Sequence, residues 1–151
     1  MRKTPPGWPR ISPSIVCQQA ATHIDWLCQA FGFEVRLKIE GDGGAIVHSE
    51  LTFGDDGLVM VSEEAARSAR PEATHRQAPR SVGGANTQAL MVYVDDVDAH
   101  CARARGAGAV IVKEPENTDY GEDYWEDRGY ECVDPEGHHW WFYQRIRSPR
   151  S

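Results

Sequence analysis

The chain has no long apolar run. None of its 151 residues fall in a stretch that approaches the roughly 20 apolar residues of a membrane helix. Residues 1–7 also lack the apolar centre of a secretion signal. These absences predict a cytoplasmic protein without a membrane partner. The composition, 40% hydrophobic and 26% charged, is that of an ordinary globular protein, and the length suits one structural domain overall.

An excess of basic residues is missing as well. Sixteen Lys and Arg stand against 23 Asp and Glu, which gives a formal net charge of -7. Because phosphate neutralisation needs a basic face, we expect no nucleic-acid partner. The four cysteines include no C-x-x-C pair, which argues against zinc knuckles and dithiol redox centres. No G-x-G-x-x-G, G-x-x-x-x-G-K or G-x-S-x-G motif occurs, so neither a nucleotide loop nor a serine nucleophile elbow is predicted.

The chain does contain an internal repeat. Residues 11–63 and 87–145 each read as a strand, a helix ended by glycine, and three further strands. Each copy makes a tight acidic turn before its last apolar strand, Gly54-Asp55-Asp56-Gly57 in the first and Asp134-Pro135-Glu136-Gly137 in the second. The repeat predicts an α+β fold in which two βαβββ modules form a curled, mixed eight-stranded sheet with outer helices. A ligand site is expected in the cleft between the two halves.

Three segments lie outside the two modules. We predict a flexible arm over residues 1–10, a linker or flap over 64–86 with a helical turn at 64–70, and a disordered tail over 146–151.

Local signals fix the expected element ends. Thr22 and Asp25 resemble a capping box for the first helix, and Gly32 is placed to end it. Asp96 is expected to cap the second helix. Residues 114–127 are predicted to be a polar loop before the seventh strand, and the first and fifth strands are predicted to begin at Ser12 and Gln88.

Three stretches carry a family resemblance. Residues 45–64, Val92-Tyr93-Val94-Asp95-Asp96-Val97-Asp98-Ala99, and the ending Asp134-Pro135-Glu136-Gly137-His138-His139-Trp140 resemble the vicinal-oxygen-chelate superfamily of glyoxalase I, extradiol dioxygenases and bleomycin-resistance proteins. The resemblance covers roughly residues 10–145. It implies the fold above and a homodimer, and it says little about the reaction, since this superfamily hosts many.

The resemblance also implies four positions for ligands of a divalent metal. In this sequence they fall near Ser12, at Met60, at Ala89 (or Gln88 with a shift of one residue), and at Trp141. Such a set does not offer the oxygen and imidazole donors that a catalytic cation needs. We therefore predict no metal and no cofactor, and a chain nearest the metal-free bleomycin-resistance branch.

Aromatic residues are concentrated in the second module. Trp140 and Trp141 are adjacent, so on a strand they must point to opposite faces, and Trp141 is expected to face the cleft. This favours a protein that binds a small aromatic or amphipathic molecule. The predicted ligand-binding residues are Met60, Tyr120, Tyr124, Trp125, His139 and Trp141.

An enzymatic alternative stays open. His48 and Glu50 share one face of the predicted third strand, where the carboxylate would orient the imidazole as a general base. Together with His139 they would form a relocated metal or acid–base site of a lyase, isomerase or dioxygenase. His48 and Glu50 are thus the candidate catalytic residues.

Overall fold

The computed structural model describes residues 1–64, 66 and 75–150. The chain divides into two compact units, Met1–Gly84 and Ala85–Ser151. Most of the helical turn predicted over 64–70 lies outside the described residues. The described part of the chain has no helix that is long and apolar enough to cross a bilayer.

The described residues of the first unit include a four-stranded sheet and a twelve-residue helix. Its sheet has the order β1-β4-β3-β2, with β1 parallel to β4 and the other pairs antiparallel. The elements are β1 (Ser14–Cys17), α1 (Ala20–Phe31), β2 (Glu34–Glu40), β3 (Ile46–Phe53) and β4 (Gly57–Glu63). Two short 3₁₀ turns lie at Asp42–Gly44 and Pro79–Val82.

The second unit repeats this arrangement. Its sheet has the order β5-β8-β7-β6, and again the first and last strands are parallel neighbours. The elements are β5 (Leu90–Tyr93), α2 (Val97–Gly106), β6 (Val110–Asp119), β7 (Glu126–Val133) and β8 (His139–Arg147). The α+β class and the two βαβββ modules are confirmed, with the eight strands divided between two four-stranded mixed sheets.

The two helix starts differ in their chemistry. Asp96 caps α2 as predicted, its Oδ1 accepting from the Ala99 backbone N–H at 2.9 Å. The capping box predicted for α1 is wrong, because that helix begins earlier, at Ala20, and has no side-chain cap. Ala20 is fully buried, and this packing fixes the helix start ahead of Thr22 and Asp25. Gly32 ends α1 as predicted, with a φ of 88°.

Strand boundaries were predicted less well. The polar segment 114–127 is mostly not a loop, because β6 continues to Asp119 and pairs with β7 from Glu126 onward. Two register shifts in β6, at Ile111/Lys113 and Lys113/Glu116, break the alternation by which a strand is recognised in sequence. β8 likewise extends through Arg147, into the predicted tail. The first and fifth strands begin two residues later than predicted.

Helix α2 covers one face of the second sheet. The His100 Nδ1 lies 2.7 Å from the Tyr130 hydroxyl, and the His100 ring lies 4.2 Å from that of Phe142. The Nε and Nη2 groups of Arg128 each donate to one oxygen of the Asp98 carboxylate, both at 2.8 Å. The buried side chains on this face of the sheet are Tyr130, Cys132, Trp140 and Phe142. This face is the core of the second unit.

Candidate functional site

The two sheets present equivalent rows of side chains at their centres. Strand register places four residues side by side across each sheet, because a pleated sheet aligns the side chains of paired positions on one face. The rows are Ser14, Met60, Glu50 and Leu37 in the first unit, and Met91, Trp141, Glu131 and Lys113 in the second. Met60 and Trp141 therefore occupy the same position of the repeat, as do Glu50 and Glu131.

Trp141 lies on the face of the second sheet that α2 does not cover. Its neighbour Trp140 is 1% exposed in the core, whereas Trp141 is 41% exposed. The predicted opposition of the two rings is confirmed. Met91 is paired with Trp141 in the strand register. The next residues on the same face, Tyr93 and Tyr143, are paired with each other. We call Met91, Tyr93, Trp141 and Tyr143 the aromatic face.

Glycine at one position of β7 gives this face its close packing. Gly129 lies opposite Tyr143 in the strand register. A Cβ at Gly129 would come within 2.4 Å of the Tyr143 ring, so the ring lies directly over the glycine backbone. Burial raises the pKa of the Tyr143 phenol, with smaller contributions from Tyr120 and Glu131. The phenol is therefore a neutral hydrogen-bonding group at physiological pH.

An ion pair supports one end of the aromatic face. The Arg145 Nε donates to Oδ1 of the buried Asp127 at 2.5 Å, and the Tyr93 hydroxyl donates to Oδ2 at 3.2 Å. The guanidinium also lies 5.3 Å from the ring centroids of both Tyr93 and Trp125. These contacts hold Tyr93 in place and connect it to the neighbouring hairpin.

The predicted loop aromatics lie together at the tip of the β6–β7 hairpin. The Tyr120 and Trp125 rings are 5.5 Å apart, and those of Tyr124 and Trp125 are 6.1 Å apart. The hairpin closes with a hydrogen bond from the Tyr120 N–H to the Trp125 carbonyl at 2.9 Å. Through Arg145, this cluster joins the aromatic face.

His139 begins β8 and shares its strand parity with Trp141. Its backbone N–H donates to the Asn86 side-chain oxygen at 3.2 Å, and the Asn86 amide donates to the Gly137 carbonyl at 2.8 Å. Asn86 thus fixes the start of the strand on which Trp141 lies.

The candidate catalytic residues do come together in the first unit. His48 Nε2 lies 3.1 Å from Glu50 Oε1, and Arg36 Nε donates to Oε2 at 2.8 Å. Burial acts to raise the pKa of Glu50, but the hydrogen bonds from His48 and Arg36 outweigh it and hold this pKa below its usual range. Glu50 is therefore an ionised, oriented carboxylate.

Arg36 also contacts the amino-terminal arm. Its Nη1 donates to the Gly7 carbonyl at 2.5 Å, and its guanidinium lies 4.6 Å from the Trp8 ring centroid.

The metal positions implied by the sequence resemblance do not fit a metal. Ser12 precedes β1, so Ser14 is the residue in register with Met60, and Met91 rather than Ala89 is in register with Trp141. The corrected positions still offer no imidazole or carboxylate. Within residues 1–64, 66 and 75–150, no three His, Cys, Asp or Glu side chains converge as a metal-binding group.

The sequence missed part of this site. Met91, Tyr93, Tyr143 and the Asp127–Arg145 pair were not predicted as site residues. The parity argument applied to Trp141 would have found Tyr143, two residues along the same strand. Asp127 was assigned to a loop and Arg145 to the last position of the second module, so no sequence rule placed them on paired strands.

Comparisons with known proteins agree with this fold. The model of the family described as the Glyoxalase/Bleomycin resistance protein/Dioxygenase superfamily matches residues 11–142. An uncharacterized protein of Mycobacterium bovis is 31% identical over 139 residues, which are 92% of this chain and 85% of the relative. The crystal structure of TioX from Micromonospora sp. ML1 matches with 31% identity and a TM-score of 0.67, covering 90% of this chain and 98% of that one. A glyoxalase/bleomycin resistance protein/dioxygenase family enzyme from Burkholderia phytofirmans PsJN matches with 19% identity and a TM-score of 0.68, covering 89% and 97%.

Proposed function

From the premise that this chain belongs to the Glyoxalase/Bleomycin resistance protein/Dioxygenase superfamily, we propose that it binds a small aromatic or amphipathic molecule without using a metal. The observation that carries this proposal is the aromatic face. Trp141, Tyr143, Tyr93 and Met91 lie on the side of the second sheet opposite its helix, and three of them are more than 40% exposed.

The chemistry of this face suits a planar ligand. An aromatic ring gains about 0.5–1.5 kcal/mol from stacking beyond its area burial, and a methionine adds a polarizable, adaptable contact. Tyr143 is held over Gly129, so its ring is preorganised, and Trp141 lies two residues before it on the same face of β8. His139 and the cluster of Tyr120, Tyr124 and Trp125 extend the proposed site. Met60 holds the equivalent position in the first sheet, and its contribution to the same ligand stays a prediction.

Equilibrium dialysis with 9-(hydroxymethyl)anthracene, a neutral planar probe, tests the proposal. We expect saturable binding by the wild-type protein and a loss of about tenfold in affinity for Trp141→Ala, which removes a stacked ring and its buried area. Trp8→Ala, which removes a partly exposed indole from the first unit, is the matched control and should bind normally. Equal affinities for Trp141→Ala and wild type would show that the aromatic face is not the site.

The absence of a metal requirement is tested separately. Protein purified without chelator should contain no stoichiometric zinc, nickel, iron or manganese, because the four expected ligand positions offer no imidazole or carboxylate. Elemental analysis that found about one metal ion per chain would contradict the metal-free proposal.

A second candidate function rests on the His48–Glu50 hydrogen bond. A carboxylate that orients an imidazole is the arrangement of a general base, and His48 is a third exposed. In this alternative the chain is a lyase, isomerase or dioxygenase of the same superfamily. His139, the third residue of the predicted site, lies in the second unit. About one bound metal per chain, lost in His48→Ala, would favour this alternative.

We also propose that the chain forms a homodimer. β2 and β6 are edge strands of their sheets, and β2 exposes the apolar side chains of Val35, Leu37 and Ile39. Exposed apolar edge strands favour association with another chain. Light scattering at micromolar concentration should return twice the chain mass.

A further inference from the structure

Glu131 is a carboxylate that borders the aromatic face, on the neighbouring strand β7. Strand register places it directly between Trp141 on β8 and Lys113 on β6. It is half-buried, and within the described part of the chain it has no hydrogen bond and no ion pair, only the longer-range attraction of Lys113. A half-buried carboxylate that accepts no hydrogen bond costs free energy, so a ligand that donates one recovers part of that cost.

The first unit shows how this fold satisfies a carboxylate at the same position. Glu50, the equivalent of Glu131 in the repeat, accepts hydrogen bonds from both Arg36 and His48. In the second unit the neighbouring cation is Lys113, whose Nζ lies 2.8 Å from a different carboxylate, that of Glu116. Glu131 thus lacks the two donors that its counterpart has.

The remaining charges on this side of the sheet compensate one another. Arg145 is bound to Asp127, and Lys113 is bound to Glu116. Glu131 attracts Lys113 through space but has no hydrogen bond or ion pair of its own, and it lies beside a half-exposed indole. A cation above this row would meet both a carboxylate and the negative face of an aromatic ring.

We propose that the ligand of the aromatic face is an aromatic cation, with a protonated amine bound by Glu131 while its ring stacks on Trp141. This inference rests on the proposed function and adds the charge of the ligand and the residue that selects it. Charge complementarity favours this occupant, since an anionic ring would be repelled by the Glu131 carboxylate in a protein of net charge -7.

A matched series of three probes tests the proposal. The probes are 9-(aminomethyl)anthracene as the cation, 9-(hydroxymethyl)anthracene as the neutral compound and anthracene-9-carboxylate as the anion. For the wild-type protein at low salt, we expect the cation to bind at least tenfold tighter than the alcohol, and the anion to bind more weakly than both.

Two isosteric variants identify the responsible charge. Glu131→Gln should abolish the preference for the cation while leaving affinity for the alcohol within twofold of wild type. Glu122→Gln, at an exposed position of the β6–β7 hairpin, changes the net charge equally and should keep the preference. Far-UV circular dichroism of both variants checks that the fold is intact.

The possible failures separate the two proposals. If the three probes bind with equal affinity and Trp141→Ala weakens all of them, the aromatic face binds rings and the role of Glu131 is wrong. If Glu122→Gln removes the preference as fully as Glu131→Gln, the selectivity comes from net charge and the inference is again wrong. If the wild-type protein binds none of the probes, the proposed function fails, and this inference fails with it.

Discussion

Replacing Trp140 should destabilise the second unit far more than replacing Trp141. The Trp140 side chain is 1% exposed and stacks in the core beneath α2, 6.1 Å from Phe142. Loss of a buried tryptophan in Trp140→Ala costs about 3–5 kcal/mol in unfolding free energy. Trp141 is 41% exposed, so Trp141→Ala forfeits about half of the 1.5–3 kcal/mol that full burial of a large side chain provides.

A third variant separates the ring from its hydrogen bond. Trp140 Nε1 donates to Asp134 Oδ2 at 2.9 Å, and Oδ1 of the same buried carboxylate accepts from the Glu136 and His138 backbone N–H groups. Trp140→Phe keeps most of the ring but removes the indole donor from a buried charged acceptor. We expect a loss of about 1–3 kcal/mol from this change.

Urea unfolding followed by far-UV circular dichroism measures all three variants without depending on tryptophan fluorescence. The expected order of destabilisation is Trp140→Ala, then Trp140→Phe, then Trp141→Ala. A Trp141→Ala protein that lost as much stability as Trp140→Ala would mean that both rings are core residues. The aromatic face would then not be available for a ligand, and the reasoning from strand parity would be refuted.

Three further outcomes are expected. Gly129→Ala should cost about 1–3 kcal/mol and weaken probe binding, because the new Cβ would meet the Tyr143 ring at 2.4 Å and displace it; unchanged stability and binding would contradict that packing. The lowered pKa of Glu50 means that its charge stabilises the fold above the unfolded value, about 4.3, and that this stability is lost as pH falls through the folded pKa. Urea titrations should therefore show a steeper acid loss in wild type than in Glu50→Gln, and parallel curves would refute the assignment. Asp96→Ala should lose about 1 kcal/mol in thermal unfolding by removing the α2 cap, whereas Asp95→Ala should change little.

The repeat and the parity of β8 could be predicted from sequence because both depend on short-range patterns. A glycine after an apolar stripe predicts a helix end, and two adjacent tryptophans on a strand must point to opposite faces. Gly32, Trp140 and Trp141 follow these rules. Asp96 was predictable for the same reason, since its cap bonds only three residues ahead.

The β6–β7 hairpin was not predictable by these means. Its strand residues Glu114–Asp119 are polar and lie at a sheet edge with register shifts, so hydrophobic alternation does not mark them. The Asp127–Arg145 pair depends on how β7 and β8 align beyond the predicted strand ends. Glu131 has no ion pair because the Lys113 Nζ binds Glu116, and the register shifts on both sides of Lys113 could not be read from the sequence.

The strand order has a consequence for how each unit folds. The strand made last in each module, β4 or β8, lies between the first strand and the third. The first strand therefore has no partner in the sheet except the last strand of its module, and this pairing must close a loop around the helix and a hairpin. Such non-local pairing slows folding. Among the described strands, the antiparallel pairs β2–β3 and β6–β7 can form before the last strand of their module is synthesised. β1 and β5 stay unpaired until β4 and β8 have been made.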